Sequence, residues 1–249
     1  MRILSRVVSI LEKLTKRQHL DFSLIVRFRN LIGSNYRFKW PHMDWWSCQK
    51  FNLYLEKFGE AEGFNTDRKW ALSQLLRLTA SVEGDTAECG VYRGASSYLI
   101  CSSNQGTDKH HFMFDSYEGL SQPKLEDGEY WSEGCLSANE DIVHQNLSTL
   151  ANFSTLKGWI PEKFSEVDDR KFSFVHIDVD LYQPTKDSIS FFYDRLNTGG
   201  IILCDDYGFS TCPGATRGID EFLEDKPEKM VSLSGGGGFM IRGVKTAIG

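Results

Sequence analysis

The chain has 249 residues, 41% hydrophobic and 13% aromatic, with a formal net charge of −6, a composition that excludes a disordered or collagen-like chain and suits one large folded domain with an extension. The charge is uneven: residues 1–50 carry ten Lys and Arg against three Asp and Glu, and the remainder 18 against 31. An acidic body of this kind argues against a nucleic-acid partner, because phosphate recognition needs a basic surface.

In chain order, Ile3, Leu4, Val7, Val8, Leu11 and Leu14 fall at helical spacing among Arg2, Arg6, Lys13, Lys16 and Arg17. This predicts a packing or dimerisation helix, with a basic helix resting on an anionic membrane surface as the alternative. Residues 36–58 are crowded with Tyr36, Phe38, Trp40, Trp45, Trp46, Phe51, Tyr54 and Phe58, so residues 1–64 read as a helical and aromatic extension ahead of a domain at 65–249. Residues 67–80 predict a helix. From Thr86 the pattern alternates: strand to Val91, helix from Ser96, strand at 111–115, an irregular stretch at 119–139, helix at 140–150, strand at 154–158, strand at 171–178, helix at 184–196, strand at 199–205 and helix at 215–224. The end differs: M-V-S-L-S and G-F-M-I-R, joined across Gly235 to Gly238, predict a hairpin. Alternating strands and helices imply an α/β fold with a mostly parallel, Rossmann-like sheet covered on both faces, and the hairpin adds an antiparallel strand.

Cys48, Cys89, Cys101, Cys135, Cys204 and Cys212 form no C-x-x-C pair and no metal spacing, and Cys89 and Cys204 sit in apolar runs. Free thiols and a reducing, cytoplasmic setting are expected. No apolar run reaches 18 residues, so no membrane-crossing helix is expected, and the N-terminus lacks the apolar stretch and cleavage site of a signal peptide.

The chemistry-bearing pattern lies at strand ends. F-V-H-I-D-V-D-L-Y (174–182) and I-I-L-C-D-D-Y-G (201–208) are apolar runs ending in carboxylates. Alternation along a strand predicts that Asp178 and Asp180 point the same way, with His176 on that face too. If the two strands are neighbours, Asp178, Asp180, Asp205 and Asp206 meet at one sheet edge. Like charges ~4 Å apart repel by ~4 kcal/mol at an effective dielectric of about 20, and a hard divalent cation would offset that. E-C-G-V-Y-R-G-A-S (88–96) follows the first strand and opens a helix, where Gly90 and Gly94 let backbone approach a ligand and free N–H groups are available. It is not G-x-G-x-x-G, which disfavours a dinucleotide pyrophosphate. Asp115 ends the next strand about 20 residues on, the spacing of a ribose-binding acidic residue. Trp159, after Gly158, could lie beside an adenine or fill core.

These segments, with G-D-T-A-E-C-G-V-Y-R-G at 84–94, F-D-S-Y-E-G-L at 114–120, K-G-W at 157–159, H-I-D-V-D-L-Y at 176–182, C-D-D-Y-G at 204–208 and G-A-T-R-G-I-D-E-F at 214–222, resemble the class I S-adenosylmethionine-dependent methyltransferases, and more narrowly the macrocin O-methyltransferase family. The resemblance runs from about residue 65 to 243. It departs at Val179, where the family usually has Gly, and at I-P-E-K-F after Trp159. It implies S-adenosylmethionine held by Glu88, Gly90 and Gly94 at its methionine part, with Tyr92, Ser96, Ser116 and Asp178 nearby, Asp115 on the ribose, and Gly158 and Trp159 at the adenine. It implies Mg2+ on Asp178, Asp205 and Asp206, and Asp180 as general base. The implied reaction is O-methylation of a sugar hydroxyl on a small-molecule acceptor, and the N-terminal helix invites a homo-dimer or higher homo-oligomer. Three readings compete: a glycosyltransferase using Asp178 and Asp180 as D-x-D, a binding protein that kept the sheet, and a catechol-type enzyme acting on phenols. His176 is a weaker candidate for base, against a buried strand His with a satisfied hydrogen bond.

Overall fold

The computed structural model describes residue 28, residues 43–60 and residues 65–246. The chain divides into two compact units, residues 1–66 and 67–249. The expected helix at 3–14 lies outside the described residues, as do Tyr36, Phe38 and Trp40. In the first unit, helices α1 (Asp44–Ser47) and α2 (Gln49–Phe58) carry Trp45, Phe51, Tyr54 and Leu55 as buried residues. Their rings gather in pairs, Trp45 with Trp46 at 5.4 Å and Phe51 with Tyr54 at 5.7 Å between centroids.

The second unit is an α/β sheet of seven strands. After α3 (Thr66–Leu78) come β1 (Asp85–Cys89), α4 (Ala95–Asn104), β2 (His111–Asp115), α5 (Glu140–Asn146), β3 (Phe153–Lys157), β4 (Phe172–Ile177), α6 (Tyr182–Tyr193), β5 (Leu196–Cys204), α7 (Pro213–Leu223), β6 (Val231–Ser232) and β7 (Gly238–Ile241). The strand order is β3-β2-β1-β4-β5-β7-β6. The first five strands pair in parallel, while β7 runs antiparallel to both β5 and β6. The order reverses between β1 and β4, the switch point outside which ligands bind in open α/β sheets.

The hydrophobic pattern explains this layering. All six residues of β4 are buried, as expected for a parallel strand covered on both faces. Val175 and Ile177 join Ala87, Cys89, Phe114, Ile189, Phe192, Ile202 and Ile219 in the core of one face, whereas Phe174 packs with Leu72, Leu76, Ile100, Ile201 and Leu203 on the other. Between residues 119 and 139 the chain is irregular apart from a 3-10 turn at Leu125–Asp127. Several expected elements end early. Helix α5 stops at Asn146, and β4 stops at Ile177, short of both aspartates that follow it.

Candidate active site

Because β1 to β5 are parallel, their C-terminal ends share one edge, and five loops deliver the sequence-predicted residues there. Register sets the neighbours. Glu88 lies opposite His176 across the β1–β4 ladder, and Ile177 lies opposite Cys204 across β4–β5, so Asp178 and Asp205 follow at adjacent positions. The ladder extends past the strand ends: Asp178 N–H donates to Cys89 O at 2.8 Å and Asp205 N–H to Ile177 O at 2.8 Å.

The loop after β1 turns tightly against β4. A methyl group on Gly90 would lie 1.8 Å from the carbonyl oxygen of Asp178, and Gly90 has φ +83°, so only glycine fits. Gly94, at φ 78°, caps α4. The expectation for Glu88 meets a different geometry. Its carboxylate is 1% exposed and turned into the protein, bonded by His176 Nδ1 at 2.9 Å and by Ser97 Oγ, with His111 Nε2 at 3.5 Å. Burial alone would raise Glu88, but His111 and His176 outweigh it and hold the carboxyl at about 2. Glu88 thus underlies the 90–94 loop, with its carboxylate turned inward.

Asp115 stitches the next two loops together. One carboxylate oxygen accepts Val91 N–H at 2.7 Å and Tyr92 N–H at 3.0 Å, and the other accepts Tyr117 N–H at 2.7 Å. Ser116 is buried and takes Glu118 N–H at 3.0 Å. Gly158 N–H reaches Asp115 O at 3.0 Å, while Trp159 beside it is 36% exposed and so is not core. Tyr92 is likewise exposed.

The four carboxylates are sorted into two groups. His176, Asp178 and Asp205 present ligand atoms within 4.8 Å of one another, and so do Asp180, Asp206 and Cys212. The expectation that Asp178 and Asp180 share a strand face is corrected here. The strand ends at Ile177, and Asp180 adopts φ 59°, a left-handed conformation that breaks the alternation. Asp180 N–H donates to Asp206 Oδ2 at 2.8 Å, so the second group is knitted by its own backbone.

The groups differ in electrostatics. Arg68 Nη1 forms an ion pair with Asp205 Oδ2, and Lys69 Nζ lies 4.0 Å from Asp178 Oδ2 and donates to Ser96 Oγ at 2.6 Å. Burial would raise Asp205, but the charges of Arg68, Lys69 and His176 hold its carboxyl far below the usual range. His176 is completely buried. Burial opposes its protonation, yet the carboxylates of Asp205 and Glu88 outweigh it and raise it to about 9. Its Nε2 stands 3.8 Å from Asp205 Oδ1, beyond hydrogen-bond length. In the second group, desolvation and the charges of the other aspartates push Asp206 well up and Asp180 to about 7. Asp178, with 29% of its side chain exposed, is raised by desolvation and by Asp205. Asp178, Asp180 and Asp206, all raised by desolvation and by neighbouring carboxylates, offer the hard oxygen donors that a divalent cation takes, beside His176 and the Cys212 thiol.

Four contributors escaped the sequence reading. Arg68 and Lys69 had no signal beyond two cations opening a helix in an acidic domain. Cys212, whose thiol donates to Asp180 Oδ1 at 3.5 Å, and Asp127, which accepts Tyr182 N–H at 2.6 Å, are distant in sequence from what they touch.

Known proteins place this geometry. Residues 71–229 match the macrocin-O-methyltransferase family (TylF). The chain is 26% identical over 154 residues to 8-demethyl-8-(2,3-dimethoxy-alpha-L-rhamnosyl)-tetracenomycin-C 4'-O-methyltransferase of Streptomyces olivaceus, covering 56% of this chain and 59% of that protein. It is 25% identical over 158 residues to demethyldecarbamoylnovobiocin O-methyltransferase of Streptomyces niveus, covering 57% and 59%. Each match therefore spans under two thirds of the relative's length. In fold it is similar to the calicheamicin methyltransferase CalS11 (TM-score 0.63, 17% identity, 72% of this chain and 79% of that one) and to the O-methyltransferase NovP (TM-score 0.62, 21% identity, 89% and 99%). The sheet is that of the class I methyltransferases, and with 71–229 matched, this chain belongs to the macrocin-O-methyltransferase family.

Proposed function

We propose that this chain is a divalent-metal-assisted, S-adenosylmethionine-dependent O-methyltransferase acting on a sugar hydroxyl of a glycosylated small molecule. The observation that carries the reading is the convergence, on one edge of a parallel sheet, of the loop at 88–96, Asp115, Gly158 and Trp159, and two acidic groups from β4 and β5. The tetracenomycin relative is named for a rhamnosyl-bearing substrate and the novobiocin relative for O-methylation of another small molecule, which supports the acceptor class. Family membership favours methyl transfer over the D-x-D glycosyltransferase.

In this reading the backbone of the 90–94 loop and the first turn of α4 border the methionine part of the donor. Asp115 meets the ribose with lone pairs left over from its three backbone bonds, and Trp159 lies along the adenine. Asp178 and Asp205 of the first group and Asp206 of the second would hold Mg2+, which would supply positive charge against negative charge developing on the acceptor oxygen. The residues of the chain then align the acceptor hydroxyl, and an oxygen of Asp180 takes its proton.

Titration calorimetry with S-adenosylhomocysteine, with and without Mg2+, tests the donor site. Transfer of label from S-adenosylmethionine to rhamnosylated tetracenomycins and demethyldecarbamoylnovobiocin tests the acceptor class. Binding of S-adenosylhomocysteine and chelator-sensitive labelling of a sugar oxygen are expected. Binding of a nucleotide diphosphate sugar in preference to S-adenosylhomocysteine would overturn the reading.

A further inference from the structure

The irregular stretch at 119–139 carries no residue of the proposed donor or metal site, yet it makes two separate ties to the loop that bears Asp180. The first is Asp127. Its side chain is buried, its Oδ2 accepts Lys124 N–H at 2.8 Å within its own turn, and its Oδ1 accepts Tyr182 N–H at 2.6 Å. Tyr182 opens α6 two residues after Asp180, and Leu181, at the capping position, makes no side-chain cap bond. A helix leaves its first N–H groups without internal partners, so Asp127 supplies across 55 positions of sequence the acceptor that a local cap would provide. The second tie is Trp131, whose Nε1 donates to Cys212 Sγ at 3.4 Å, and that thiol in turn donates to Asp180 Oδ1 at 3.5 Å.

A third element closes on the same point. A methyl group on Gly214, in the first turn of α7, would lie 2.2 Å from Asp127 Oδ1 and 2.9 Å from Tyr182 N. Position 214 must therefore be glycine for Asp127 and Tyr182 to meet, which accounts for the first glycine of G-A-T-R-G. Asp180 needs such support, because a non-glycine residue at φ 59° is held against its preference.

We propose that Asp127 is a positioning residue for Asp180, with Trp131 as its second arm, so that the 121–134 segment sets where the proton-accepting carboxylate stands. This rests on the reading of Asp180 as proton acceptor and deepens it. The segment also presents Leu125 and Tyr130 exposed beside that loop, which makes it the element through which acceptor contact would reach the base.

Hydrogen–deuterium exchange with mass spectrometry on the full chain tests the tie without an acceptor. In Asp127→Ala, the 178–183 peptide should exchange about tenfold faster or more, the worth of a lost hydrogen bond to a charged group. Peptides of β1 to β3 should not change. Asp127→Asn, which keeps one acceptor oxygen, should fall between, and G214A should match Asp127→Ala. In methyl transfer to whichever of the two acceptors tested above takes up label, the kcat of Asp127→Ala should drop about 100-fold, as expected for a misplaced catalytic group, with the Kd for S-adenosylhomocysteine within twofold. Unchanged exchange at 178–183 would overturn the proposal, as would a rise spread evenly over β1 to β5 or a loss of S-adenosylhomocysteine affinity matching that of kcat. If Asp127→Ala does not fold, Asp127→Asn and G214A read the same contact. A wild-type protein that transfers no methyl group while the exchange shift appears would defeat the functional reading and leave the positional tie standing.

Discussion

Two acidic groups share one edge of the sheet, and only one comes with its own cations. Asp205 has Arg68 and His176 against it and Lys69 close by, whereas Asp180 and Asp206 face each other and a thiol. The first group is internally balanced. The second is a concentration of negative charge that the described residues leave uncompensated, and its members answer by resisting ionisation. A folded protein thus holds a finished ion-pair network and an unfinished one side by side, and the unfinished one is where an incoming cation gains most.

The largest way to break this comparison is Asp205→Asn. It strips the countercharge from Arg68 and the buried His176, and should cost about 3–5 kcal/mol in urea denaturation with chelator present. A loss below about 1 kcal/mol would mean the network is not the balanced one.

Acid titration comes next. Glu88 is depressed from 4.5 to about 2, so its contribution is present above pH ~4.5 and is lost as pH falls toward 2. Linkage over that interval is on the order of 3 kcal/mol, and Glu88→Gln should flatten the stability curve there. His176 behaves in the opposite sense: raised from 6.5 to about 9, it contributes below pH ~6.5 and loses that contribution as pH climbs through 9.

The third test addresses the unfinished group. Saturating Mg2+ or Mn2+, at about 100 times Kd, should stabilise the wild type by about 2.7 kcal/mol. Asp206→Asn should abolish that gain, and a wild type indifferent to both ions would remove the metal from the proposed function. The smallest effect sharpens the contrast. With chelator, Asp206→Asn keeps an acceptor for Asp180 N–H and relieves repulsion, so stability should rise on the order of 1 kcal/mol, the worth of about one pKa unit. Opposite signs for Asn at neighbouring positions 205 and 206 would be the signature of the two groups.

What could be read in advance follows from the range of the interactions. Strand β2 appears at the expected 111–115, and the mostly parallel sheet with its antiparallel end follows from alternation and from apolar runs of the length a buried strand needs. Placing the carboxylates at one edge required only that β4 and β5 be neighbours, which they are. Sorting them did not follow, because it depends on where β4 lets go of the ladder and on the left-handed turn at Asp180, features decided by Asp206 across 26 positions. Arg68 reaches Asp205 across 137 positions, and nothing local to an α-helix reports such a partner. Glu88 stands where the motif puts it, but its inward turn is set by His176 and His111 on flanking strands.

The grip on Asp115 has a consequence for how mutants of this chain must be interpreted. A carboxylate clasped by three main-chain amides is a splice between two loops before it is a ligand contact. Its orientation is fixed in the resting protein, so in the proposed donor site an arriving diol would meet an acceptor that has no rearranging to do. By the same token, replacing that side chain unties Val91, Tyr92 and Tyr117 together, and any loss of the proposed donor's affinity would record the slackened splice as much as the missing oxygen.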